Sequence, residues 1–159
     1  MGFSMKNIGL FRPSLVAVVM ALHFGGVASA GIINVPADEP TIQAAILSAG
    51  IGDEIVVAQG TYFESIDFLG KAITVRSSDP TNPAVVSLTI IDAGNAGHGV
   101  AFSNGESSNT IFDGFTVTHG TETNGGGIFC QNTSPTISNC VVSRNSATIG
   151  GGAQISFDT

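Results

Sequence analysis

Arg144, His119, Glu122, Asp113 and Asp92 are the side chains whose types and spacing could do chemistry in this chain of 159 residues. An arginine can remove a proton beside a sugar carboxylate, with Ca²⁺ held by Asp or Glu to offset the charge that develops. Arg144 suits that role, Glu122 or Asp113 would stand one repeat away on the same side, and His119 shares a face with Arg144. The same set also describes a solvated rim. Asp92 and Asp113 each adjoin a strand and a small residue, where a turn-forming aspartate is the commoner reading. No catalytic residue is assigned on sequence alone. No cofactor and no metal are expected, Ca²⁺ belonging only to the proton-abstraction reading.

Cys130 and Cys140 are the only cysteines. Export would make a disulfide chemically open to them, but they fall at different points of the repeat described below. Buried free thiols are expected, and two isolated sulfurs make a poor metal site. Three glycines in a row can cradle a phosphate. Neither Gly125-Gly126-Gly127 nor Gly150-Gly151-Gly152 is followed by Lys-Ser/Thr or opens a helix, however, and the Gly-x-Asp spacing of calcium-binding nonapeptides is missing too. A corner that excludes a Cβ is the better reading of both triplets.

The elements that must position these residues follow from a repeat. Sliding the sequence against itself sets Phe112 on Ile137, Phe115 on Cys140, Val117 on Val142, Ile128 on Ala153 and one Gly triplet on the other, all at one shift. His119-Gly120 then meets Arg144-Asn145 at a turn. A period of roughly 25 residues is one layer of a stacked strand repeat, whose inward side chains no single layer could bury. At about 4.8 Å per layer, roughly four to five layers make a rod of roughly 20 to 25 Å. Residues 54–58, 72–76, 85–91, 99–102 and 115–118, punctuated by Gly, Asn, Asp and Ser, read as its strands. A β-sandwich would also show many short strands; the repeat favours the stack.

Before the strands, residues 40–49 carry Ile42, Ala45, Ile46 and Ala49, the i, i+3, i+4, i+7 stripe of an amphipathic helix. Pro40 suits its first turn, Asp38 and Glu39 its dipole and Gly50 its end. Strands alone are expected after it. The first layer of a stack exposes an apolar cross-section and unpaired backbone, so this helix is read as a cap. The last expected strand, 153–158, has no such cap, which reads as truncation or as a place for another chain.

Lys6 and Arg12, the apolar run from 15 to 22 and the small residues Ala28-Ser29-Ala30 are the three parts of an export signal. Eight apolar residues ended by His23 fall far short of the roughly 20 that span a bilayer. Without the leader, positions 31–159 keep Lys71, Arg76 and Arg144 against all 12 acidic side chains, a formal charge of −9. That balance disfavours nucleic acid, which needs clustered Lys and Arg. It also repels a polyanion such as pectate at long range unless a cation intervenes, and it keeps an exported protein soluble.

Thr41-Ile42-Gln43-Ala44-Ala45-Ile46, Gly60-Thr61-Tyr62-Phe63-Glu64, Gly70-Lys71-Ala72-Ile73-Thr74-Val75 and Ile90-Ile91-Asp92 occur in that order. Together they resemble the opening of right-handed parallel β-helix proteins of the pectin-lyase-like group. The resemblance implies an all-β solenoid with a short N-terminal capping helix, secreted or on the cell surface. The first, second and last of these segments are also similar to the start of pectin methylesterases. The catalytic aspartates of that family lie in stretches reading like Gln-Asp-Thr-Leu and Asp-Phe-Ile-Phe-Gly. Neither stretch occurs in this chain, nor does that family's substrate-clamping Arg, so the resemblance carries over the fold alone.

The expected organisation is an export signal at 1–30, then the cap and first coils of a right-handed parallel β-helix at 31–159, truncated at its C-terminus. The expected function is a structural, adhesive or polysaccharide-binding repeat module. The alternative is the N-terminal part of a polysaccharide-active enzyme, pectate lyase-like or pectinesterase-like, whose catalytic coils lie elsewhere. Expected partners are acidic or neutral polysaccharide and further copies end to end, with no nucleic acid and no membrane span once the leader is removed. Tyr62 is the only Tyr and Trp is absent, so aromatic platforms for sugar rings are few.

Overall fold

The computed structural model describes residues 29–156, which carry fifteen strands and two short helices. The export signal expected at 1–30 lies almost wholly outside that range, as do the last two residues of the strand expected at 153–158. β1 (Ile32–Val35) comes first and α1 (Ile42–Ser48) follows. The chain then passes through three sheets in one fixed order, four times. The first circuit is β2 (Glu54–Val57), β3 (Gly60–Tyr62) and β4 (Ile66–Asp67); the second is β5 (Thr74–Ser77), α2 (Pro83–Leu88), β6 (Thr89–Asp92) and β7 (Val100–Phe102). The third is β8 (Ile111–Asp113), β9 (Thr116–Thr118), β10 (Thr121–Asn124) and β11 (Ile128–Gln131). The fourth is β12 (Thr136–Ser138), β13 (Val141–Val142), β14 (Ser146–Ile149) and β15 (Ala153–Ser156).

The sheets run β1-β2-β5-β8-β12, β3-β6-β9-β13 and β4-β7-β11-β15, with β10 and β14 as a fourth, two-stranded one. Every pairing between these strands is parallel. Between the third and fourth circuits one register shift holds in every sheet: Phe112 lies on Ile137, Val117 on Val142, Glu122 on Ala147 and Ile128 on Ala153. The chain is thus mostly β, in parallel sheets that repeat one another.

Period-two alternation turns one side of each strand inward. Ile55, Val75, Phe112 and Ile137 make one inward column, and Tyr62, Ile91, Val117 and Val142 a second. Ile66, Val100, Ile128 and Ala153 make a third. One core cluster draws on all three sheets and on α1. Phe68 stacks on Phe102 and Phe112 on Phe115, with 4.6 Å between ring centroids in each pair. Each such ring, fully buried, contributes about 1.5–3 kcal/mol of transfer free energy.

Two expectations are corrected. The helix is shorter than 40–49: Thr41 is its N-cap, accepting from Ala44 N at 3.1 Å, so Pro40 precedes the first turn, and no acidic residue stands in that turn. Asp38 turns back instead to accept from Asn34 N at 2.7 Å. The second correction concerns the strand expected at 85–91, which is split, so strands alone do not follow α1. Residues 83–88 form α2, where Asn82 caps Ala84 N at 3.0 Å and Pro83 takes a first-turn position that needs no N–H. A continuous apolar run such as Ala84-Val85-Val86 has no period to separate strand from helix, and here the cap decides.

Candidate functional site

Where the chain leaves the second sheet, Asn95, His119 and Arg144 all take left-handed backbone angles, with φ of 63°, 56° and 57°. One such residue turns the chain sharply, and the position recurs in successive circuits. Asn95 N donates to His119 O at 2.7 Å, and Ser146 N donates to Gly120 O at 2.8 Å. Asn145 ties the corner from the layer above: its Oδ1 accepts from Gly120 N at 2.7 Å and its Nδ2 donates to Val117 O at 3.0 Å.

Asp92 ends β6 on the outward face, in register with Thr118. His119 Nδ1 lies 3.0 Å from Asp92 Oδ2, the carboxylate well covered at 16% side-chain exposure and the ring more open at 36%. Asp92 also accepts from Gly94 N at 2.9 Å. That backbone donor first, and the His119 ring next, hold its carboxyl below the usual carboxylate value against the opposing effect of burial. A proton on Nδ1 facing the carboxylate leaves Nε2 as the basic atom of the ring. Arg144 stands exposed at the next level of the same corner. The corner therefore offers an aspartate-oriented imidazole, which can move a proton.

Sequence spacing put Asp113 or Glu122 one circuit from Arg144 on the same side; Asp113 lies in a different sheet, and Glu122 lies one circuit from Ala147, a little past Arg144. Asp113 belongs to β8 in the first sheet, where its Oδ1 accepts from Ser138 Oγ at 2.7 Å and Asn139 Nδ2 at 2.8 Å. Glu122 lies in β10 opposite Ala147, and its carboxylate accepts from Thr123 N at 3.1 Å.

Both cysteines are free. Cys130 is buried in the column between Phe102 and Ile155, and burial, then the charge of Glu106, push its thiol up to about 11. Cys140 Sγ donates to Ser138 O at 3.1 Å, and burial raises its thiol too. The Gly triplets make corners, with Gly125 and Gly150 at φ of 58° and 65°. A Cβ on Gly126 would run into Ser146 O, and one on Gly127 into Gly152 O.

Sequence reasoning missed the polar residues that matter most to the cap. The Glu64 carboxylate accepts from Ile42 N and Gln43 N, both at 2.9 Å, at the start of α1. Lys71 Nζ donates to Ile46 O, Leu47 O and Ala49 O at 2.7, 2.9 and 2.8 Å, at its end. Opposite charges thus hold both poles of one helix. The signal that could have found them is their spacing, 21 to 25 residues from the helix ends, which is again one circuit. Glu106, buried, accepts from Gly70 N at 2.8 Å and Asn104 N at 2.9 Å and so ties two turns together.

Among the described residues no three His, Cys, Asp or Glu gather as a metal site. No helix among them is long and apolar enough to cross a membrane. Comparisons with protein-family models, with curated proteins and with solved structures find no match.

Proposed function

We propose that the parallel sheets close into a right-handed parallel β-helix of the pectin-lyase-like kind. On this reading the chain is a secreted or cell-surface module with a structural, adhesive or polysaccharide-binding role. The observation that carries it is how the charged side chains are engaged. Glu64 and Lys71 hold the cap, Asp53 accepts from Gly31 N and Gly50 N, Glu106 ties two turns and Asp113 binds the next circuit. Polar chemistry is directed to rigidity, as a spacer or a long binding face needs. Release by signal cleavage belongs to the same proposal, and the mature chain would begin at Gly31.

A second reading, a polysaccharide-active enzyme, is favoured by the His119–Asp92 pair, with Arg144 at the corresponding turn of the next circuit. Electrophoresis through gels containing pectate, alginate or xylan, with and without Ca²⁺, separates the two when combined with assays for unsaturated sugar and released methanol. The module reading expects retardation in at least one gel and no product. Turnover that disappears in His119→Gln and Arg144→Gln variants of unchanged fold would reverse the order. No retardation in any gel would remove polysaccharide binding and leave the structural or adhesive role.

A further inference from the structure

An asparagine followed by glycine is prone to cyclise, because a glycine nitrogen carries no side chain to hinder its attack on the neighbouring carboxamide carbon. The chain holds two such dipeptides, Asn104-Gly105 and Asn124-Gly125, and one Asp-Gly, Asp113-Gly114. Closure needs a free glycine N–H and a backbone that can bend, and a nitrogen paired in a sheet has neither until the strand opens. On this ground the structure separates the three. Asn124 ends β10 in register with Ile149, and Gly125 N donates to Ile149 O at 2.9 Å. Gly114 N donates to Ser138 O at 3.1 Å. Gly105 lies outside every strand and helix, its N–H has no acceptor among the described residues, and both it and Asn104 are exposed. At φ of 82° it stands in open space, with nothing within 4 Å of where a Cβ would be.

The Asn104 side chain also ties two turns of successive circuits. Its Nδ2 donates to Asp67 Oδ1 at 3.1 Å and lies 3.4 Å from Oδ2, while Asn104 N donates to Glu106 Oε2 at 2.9 Å. Asp67 Oδ1 accepts from Leu69 N and Glu106 Oε1 from Gly70 N, both at 2.8 Å. The turn at 104–106 is thus fastened to the turn at 67–70 through one carboxamide and one buried carboxylate.

We propose that Asn104-Gly105 is a self-modification site, and that its conversion loosens this tie. Gly105 N forms a bond to Asn104 Cγ and gives up its hydrogen, the Cγ–Nδ2 bond breaks, and ammonia leaves with that hydrogen. Water then opens the cyclic imide at one carbonyl or the other, giving aspartate or isoaspartate. Nothing is oxidised or reduced, and water is the only co-reactant. Either product replaces a donor with a carboxylate that faces Asp67 and stands near Glu106, and like charges so placed repel. Isoaspartate adds a backbone carbon as well, where the turns already touch: Asn104 O is 2.7 Å from the place of a Cβ on Gly70. The site is independent of the glycan reading and of its gel assay.

Peptide mapping by tandem mass spectrometry, on the full chain aged at mildly alkaline pH, tests the site. The expected result is a gain of about 1 Da at Asn104, at least about tenfold faster than at Asn124, with the two rates converging in urea. Comparable rates in the folded chain, or faster conversion at Asn124, overturn the site. Hydrogen exchange tests the loosening: in the aged chain and in Asn104→Asp, the Leu69 and Gly70 amides should exchange about tenfold faster than in the fresh parent, and β2 amides should not change. Unchanged exchange at Leu69 and Gly70 in the aged chain overturns the loosening, and that measurement needs no variant to fold.

Discussion

Lys71 and Glu64 bind α1 by charge-assisted hydrogen bonds to groups that a short helix cannot satisfy internally. Removing either partner leaves helix-end groups without their bonds. Lys71→Met, which keeps the apolar stem, and Glu64→Ala should each lower stability by about 1–3 kcal/mol in urea unfolding. A change within about 0.3 kcal/mol would show the clamp to be idle. Asp92 gives a pH-dependent test. Its carboxyl lies below the usual 3.8 in the folded chain, so it favours folding above that pH and the contribution fades as pH falls through the depressed value. The stability gap between the parent and Asp92→Asn should hold from neutral pH to about pH 4 and then close. A gap that persists undiminished at about pH 2 would contradict the hydrogen bonding described for Asp92.

At the level of elements, the Gly corners and the split strand show what local sequence does and does not specify. Gly127→Ala drives a Cβ into the backbone of the next circuit, and no rotamer change relieves that contact. It should cost about 3 kcal/mol or more, as overpacking of a rigid neighbour does. Gly94→Ala, at φ of 62° with open space around it, should cost only about 1–2 kcal/mol, the penalty of a left-handed alanine. Thermal unfolding of both variants checks the difference, and equal losses would show that the neighbouring backbone yields to the added Cβ. The triplets and the stripe of α1 were legible because each follows a fixed period. α2 was not, since Val85 and Val86 favour strand by propensity and the helix depends on the cap from Asn82 and on burial of both valines.

For the molecule as a whole, the constant shift read from Phe112, Val117 and Ile128 is the same shift that the strands adopt. Fold was legible because like residues stack on like. The site was less so: His119 and Asp92 are 27 residues apart, His119 standing one past Thr118, the register partner of Asp92, so a fixed shift never paired them. The central claim is the parallel stacking itself, and one distance tests it most directly. Ile32, Glu54, Thr74, Ile111 and Thr136 lie in one register column across five strands of the first sheet. Spin labels at positions 32 and 136, in a chain with Cys130→Ala and Cys140→Ala, should therefore report four strand spacings by pulsed electron paramagnetic resonance. The expected result is a narrow distribution near roughly 19 Å, about 4.8 Å for each step. A broad distribution, or one centred beyond about 30 Å, would contradict the stack.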